Sequence, residues 1–175
     1  MERTNMERDL INALRKRGWR MAAAESCTGG RIAQRITAVP GASDVFSGSM
    51  VSYSCETKQS ALGVRAETLD TYGAVSEETA REMASGALRI TEADVAVSTT
   101  GVAGPGGGTE DCPVGTVCFG LAIRASGEVT SVRVQFDSTA EREEICGMAA
   151  SYAMEWVMDV LRGEKRIHFS RFVIL

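Results

Sequence analysis

The chain has 175 residues, of which 44% are apolar and 24% charged, with a formal net charge of -4. That balance excludes a disordered or membrane-spanning class and predicts one soluble domain, long enough to bury about two thirds of its unfolded surface in a single core. Its lysines and arginines are scattered along an acidic chain of pI near 5.2, so no nucleic-acid partner is expected and small-molecule chemistry is the better reading.

The first predicted helix is capped by Thr4 or Asn5. Its apolar residues Met6, Leu10, Ile11 and Leu14 fall on one stripe before Gly18. No apolar run reaches the roughly 20 residues of a membrane span, and the amphipathic start is no signal peptide, so a cytoplasmic location and no membrane contact are expected. Trp19 to Ala24 reads as a short strand and Thr28 to Thr37 as a helix, closed by Val39-Pro40-Gly41. Between them lies Ala24-Glu25-Ser26-Cys27-Thr28-Gly29-Gly30, a strand-to-helix turn that presents the Ser26 hydroxyl. Its glycines permit close backbone approach, and the amides from Thr28 through Gly29 to Gly30 can meet an oxyanion or phosphate. The same residues also suit a plain cap and tight loop.

Val45 to Tyr53 is predicted as a strand, and Ser54 as the cap of a short helix carrying Lys58 and Leu62 before Gly63. A serine without a histidine needs another base. A lysine serves when burial or positive neighbours draw its pKa toward neutrality, and Lys58 is the candidate. The Tyr53 phenol could bond that lysine or relay a proton, although a tyrosine at a strand end also packs, and a lysine on a short helix also meets solvent.

Ser76-Glu77-Glu78 opens the clearest helix, with a capping hydroxyl and two acids in the first turn. Asp94 to Gly101 reads as a buried strand running into the glycine-rich loop Gly101 to Gly108. That loop lacks the Gly-Lys-Ser/Thr ending of a phosphate loop and is not GxGxxG. It leaves Thr100 as a hydroxyl, and Gly101 and Gly104 as backbone that can approach a ligand, or else a mobile turn. Strands over Val114 to Arg124 and Val129 to Phe136 form a hairpin through Ser126-Gly127, and a last helix runs from Ser138 to Leu161.

The fold expected is α/β, a three-layer α/β/α sandwich with a mixed, mainly parallel sheet containing an antiparallel hairpin. Residues 1–163 form one domain, and 164–175 an apolar tail that adds an edge strand or covers a second copy. Five cysteines, at 27, 55, 112, 118 and 146, include no CxxC pair, and His168 is the single histidine. No metal site is expected, and the cysteines read as packing residues.

Five segments together resemble one known family. They are Ala24 to Gly30, Tyr53-Ser54-x-x-x-Lys58, Gly73-Ala74-Val75-Ser76-Glu77-Glu78, Thr100-Gly101-x-Ala103-Gly104-Pro105-x-Gly107-Gly108 and Pro113-Val114-Gly115-Thr116-Val117. Over about residues 5 to 161 the chain is similar to the CinA C-terminal domain family, whose characterised members are nicotinamide-nucleotide amidases. The resemblance implies hydrolysis of nicotinamide mononucleotide to nicotinate mononucleotide and ammonia, a salvage step, by a serine-lysine pair with neither metal nor cofactor. Ser26 is then the nucleophile, Lys58 its base and Tyr53 the assisting phenol, while Thr100 and Arg142 lie around the substrate. A guanidinium suits a nucleotide phosphate because it binds in a bidentate fork. Many members carry Asn at the position of Cys55 and Arg at that of Cys146. A catalytically weak or inactive pyridine-nucleotide-binding module is therefore the alternative. A homodimer is expected from the resemblance and the apolar tail.

Overall fold

The computed structural model describes residues 3–164 and 173–174. The elements in chain order are α1 (Arg3–Arg17), β1 (Met21–Glu25), α2 (Arg31–Thr37), β2 (Phe46–Val51), α3 (Cys55–Leu62), α4 (Ala66–Tyr72), α5 (Glu77–Thr91), β3 (Val95–Gly101), β4 (Thr116–Ile123), β5 (Val129–Gln135), α6 (Arg142–Arg162) and β6 (Val173–Ile174). Among them no helix is long and apolar enough to cross a membrane.

The strands form one mixed sheet in the order β2-β1-β3-β4-β5-β6. β1 runs parallel to both β2 and β3, while the β3/β4, β4/β5 and β5/β6 ladders are antiparallel. The expected hairpin is β4/β5. It closes through Gly127, whose φ of 69° suits a residue without Cβ, with Gly127 N–H on Ile123 O and Ile123 N–H on Glu128 O.

Helices cover both faces, as the three-layer reading requires. On one side Met21, Ala23, Val95, Val97, Phe119 and Leu121 pack against Leu10, Leu14, Ile32, Ile36, Tyr152 and Trp156 of α1, α2 and α6. On the other, Ala22, Ala24 and Ala96 meet Leu62, Met83 and Ala87 from α3 and α5. Successive residues of β1 point to opposite faces, Met21 and Ala23 to one and Ala22 and Ala24 to the other, and the all-alanine face lets α5 settle close to the sheet. Gly120 serves that approach, and Gly86 the packing of α5 on α3. A Cβ at Gly120 would strike Ala80 O, and one at Gly86 would strike Leu62 O.

Several expected boundaries shift for local reasons. Thr4 and Asn5 lie inside α1 rather than capping it. Helix α2 starts at Arg31, not Thr28, because Gly29 (φ 57°) and Gly30 (φ 92°) take left-handed conformations that delay the helix. Helix α6 starts at Arg142, not Ser138. Asp137 folds its carboxylate onto Thr139 N–H and Oγ1–H, and Glu141 and Glu144 form a reciprocal capping box. Helix α4 has no counterpart in the sequence reading. Ser54 and Ser76 cap α3 and α5 as expected, accepting from the N–H of Thr57 and Thr79.

Register is what builds the functional edge. Glu25 pairs with both Val51 and Thr99, so the three parallel strands end side by side. The residues next in sequence, Ser26 after β1, Ser52 after β2 and Thr100 near the end of β3, lie at the carboxyl ends of the strands, where open α/β sheets place their sites.

Candidate active site

Ser26 leaves β1 with its N–H on Thr99 O, and its own carbonyl accepts from Gly29 N–H. This tight turn holds the hydroxyl at the mouth of a cleft, 8% exposed. Helix α3 brings Lys58 from beneath. Its Nζ lies 2.9 Å from Ser26 Oγ and donates to Ser52 O at 2.8 Å. Lys58 is 1% exposed and enters no ion pair among the described residues. Desolvation by burial draws its pKa below the ordinary lysine value, opposed by the neighbouring thiols of Cys55 and Cys27. The Cys27 thiol is pushed up to about 12, chiefly by burial, which keeps it protonated and a poor nucleophile.

The cleft has a volume of about 270 Å³, and Ser26, Tyr53, Lys58, Thr100, Gly104 and Arg142 are among its lining residues. Two of its side chains clasp each other. Arg142, at the start of α6, donates from Nη2 to Tyr53 Oη at 2.8 Å and from Nη1 to Gly104 O at 2.7 Å. Tyr53 is 63% exposed. Its hydroxyl is thus joined to Arg142 on the outer rim. The Thr100 hydroxyl donates to Ala74 O at 2.6 Å, tying the end of β3 to the segment before α5.

Two of the three turn amides expected to meet a ligand are already taken within the protein. Gly29 N–H is taken by Ser26 O, and Gly30 N–H by the Glu25 carboxylate at 3.0 Å. The Thr28 hydroxyl is fully buried, donates to Glu25 Oε2 at 2.8 Å and lies 2.8 Å from Thr99 Oγ1. Positive φ at both glycines, rather than a ligand, accounts for their presence. Cys27 also lines the cleft. Gly101 is needed by the sheet, since a Cβ there would sit 2.6 Å from Thr116 O. Gly104, at φ 77°, contributes the carbonyl that Arg142 holds.

Two participants escaped the sequence reading. Ser52 acts through its main-chain carbonyl, which any residue would supply, so its side chain gave no signal. Glu25 did give one, as a carboxylate at the end of an otherwise apolar strand. Cys146 also proves to be structural, donating its thiol hydrogen to Cys27 O at 3.0 Å.

The CinA C-terminal domain family matches residues 3–161. The chain belongs to that family. A CinA-like protein of Chloroherpeton thalassium is 58% identical over 120 residues, which cover 69% of this chain and 29% of that protein. A putative competence-damage inducible protein of Caldanaerobacter subterraneus is 43% identical over 160 residues, covering 91% and 38%. The chain therefore spans about a third of the length of these CinA relatives. Among solved structures, a CinA superfamily protein from Klebsiella pneumoniae superposes with a TM-score of 0.87 at 36% identity, covering 93% of this chain and 99% of that one. The competence/damage inducible protein CihA from Agrobacterium tumefaciens gives 0.87 at 38% identity, covering 93% and 96%.

Proposed function

We propose that this CinA domain is an amidohydrolase that deamidates nicotinamide mononucleotide to nicotinate mononucleotide and ammonia. The observation that carries the reading is the buried Lys58 amine, without a counterion among the described residues, set between Ser26 Oγ and Ser52 O. A neutral amine has two N–H bonds and one lone pair. One N–H satisfies the Ser52 carbonyl, and the lone pair then faces the Ser26 hydroxyl proton.

In this mechanism Lys58 takes that proton as Oγ bonds to the carboxamide carbon, and the backbone of the turn at Cys27, which lines the cleft, meets the developing oxyanion. The lysine returns the proton to the amide nitrogen as the C–N bond breaks, releasing ammonia and leaving an acyl ester on Ser26. Water, deprotonated by the same amine, cleaves that ester and restores both side chains. Arg142 supplies the cation for the nucleotide phosphate, a reading supported by its place in the cleft lining beside Tyr53 Oη and Gly104 O.

Ammonia release from nicotinamide mononucleotide, assayed with a chelator present and with Ser26→Ala as control, tests the proposal. Turnover by the wild-type chain and none by Ser26→Ala is expected. Binding of the mononucleotide with no turnover would replace hydrolysis by nucleotide sensing, and a Ser26→Ala protein that keeps its rate would remove the nucleophile.

A further inference from the structure

Glu25 is the last residue of β1 and is completely buried. Its Oε2 accepts from Thr28 Oγ1, Gly30 N and Ile32 N at 2.8, 3.0 and 3.1 Å. Its Oε1 accepts from Ala33 N at 3.1 Å and Ser49 Oγ at 2.9 Å. No basic side chain pairs with it among the described residues. A buried carboxylate without a cation is costly unless donors surround it, and here dipoles alone do so: three backbone N–H groups and two hydroxyls.

Those donors come from separate parts of the edge that carries the chemistry. Thr28 and Gly30 belong to the nucleophile turn, Ile32 and Ala33 to the first turn of α2, and Ser49 to β2. Thr28 adds a fourth part through its contact with Thr99 of β3. β2 also leads directly to Ser52, whose carbonyl holds Lys58. The carboxylate thus fixes the strand bearing the lysine's acceptor and the turn bearing the serine to a common point.

We propose that Glu25 is a positioning residue for the Ser26 and Lys58 pair, with Thr28 as its link to β3. This inference rests on the reading of Ser26 as nucleophile and Lys58 as its base. Because its oxygens are taken by these donors and not by Lys58, Glu25 orders the turn without forming an ion pair that would hold the lysine protonated.

The test reads Lys58 directly, by NMR titration of isotope-labelled lysine in the full chain, with its signal identified by loss in Lys58→Met. Glu25→Gln keeps the shape but turns an amide NH2 toward donors, and Thr28→Val removes one hydroxyl at constant volume. In both, a loosened turn admits water to Nζ, and Lys58 should titrate higher than in wild type by about one pH unit, a tenfold change in proton affinity. Thr28→Ser should restore the wild-type titration. Removal of a negative charge acting simply through space would move Lys58 in Glu25→Gln the other way, so an unchanged or lowered titration overturns the proposal. Should Glu25→Gln fail to fold, Thr28→Val against Thr28→Ser decides alone. In the ammonia assay, kcat of Thr28→Val should fall tenfold or more with KM within twofold. A wild-type chain that released no ammonia would sink the hydrolase reading, and the lysine titration would still decide the role of Glu25.

Discussion

Lys58 Nζ and Ser26 Oγ stand 2.9 Å apart across 32 residues of sequence. The parallel β1/β2 ladder brings them there, because the chain leaves β2 beside Ser26 and folds α3 back beneath it. If the amine is the base, Lys58→Met should lower kcat by about 10²- to 10⁴-fold, the usual worth of general-base catalysis. Ser26→Ala should fall to background. The thermal midpoint of Lys58→Met should equal or exceed that of the wild type, since the change replaces a buried amine by an apolar chain of similar length. Ammonia release and thermal unfolding of the two variants check these outcomes together.

The pH dependence follows from the same burial. Lys58 has a lowered pKa in the folded chain, so the folded state binds fewer protons than the unfolded one between the folded value and the ordinary lysine value. Stability from this group therefore rises with pH through that window, and the destabilisation is fully present below the folded pKa. Activity should rise on the same limb, because only the neutral amine accepts the serine proton. A plot of kcat/KM against pH should show an ascending limb at the Lys58 titration. The difference in unfolding free energy between wild type and Lys58→Met should move in favour of the wild type as pH rises.

Arg142 and Tyr53 separate binding from chemistry. The tyrosine hydroxyl accepts from the guanidinium on the exposed rim, so its removal should act through Arg142 rather than through the lysine. Arg142→Ala should raise KM for the mononucleotide about tenfold or more, in line with the ~1.5–3 kcal/mol of hydrogen bonds to charged groups, while kcat changes less. Tyr53→Phe should raise KM modestly. Steady-state kinetics that showed kcat falling 100-fold in Tyr53→Phe at constant KM would return the phenol to proton transfer.

Much of this site was legible before any coordinates, because its chemistry lies in short segments at strand ends. Ser26 follows an apolar run, Lys58 follows a capping serine, and Thr100 ends a buried strand, so the order of elements alone placed three candidate loops on one edge. Local pattern could not say which backbone groups were already occupied. The amides of Gly29 and Gly30 looked available to a ligand, yet the preceding turn and the Glu25 carboxylate consume them. That depends on where a side chain five residues earlier turns once buried. Helix α4 escaped for a related reason. Thr68 is its buried residue, and its hydroxyl donates to Glu82 at 2.7 Å, so no apolar stripe announced it.

The cysteines should report on packing. Cys55 is exposed at the start of α3, whereas Cys27, Cys118 and Cys146 are buried. Burial pushes the thiols of Cys27 and Cys118 up to about 12 and raises that of Cys146. An aromatic disulfide reagent should therefore modify Cys55 in the native protein, while these three react only on unfolding, and peptide mapping after a short exposure checks the order. Lys58→Met should accelerate Cys27 labelling only if loss of the amine opens the turn. An unchanged Cys27 rate would show that Glu25, still present, holds it.

Gly86 connects the far side of the sheet to the site. It lies in α5 where that helix crosses the end of α3, and a Cβ there would strike the carbonyl oxygen of Leu62, a backbone atom with no freedom to swing away. Gly86→Ala should gain about 1 kcal/mol from helix propensity. It must then separate two packed helices, at a typical overpacking cost of about 1–3 kcal/mol. The separation falls on α3, and Leu62 is one turn beyond Lys58 on that helix. The expected result is a net loss of stability in denaturant unfolding together with a fall in kcat, because a lysine displaced with α3 no longer meets both Ser26 Oγ and Ser52 O. Gly120→Ala is the control, since its Cβ would strike Ala80 O beneath α5, away from α3. It should destabilise the fold comparably and leave kcat of the folded fraction closer to wild type. Equal losses of kcat in the two variants would mean that the position of α3 is not what sets the serine-lysine distance.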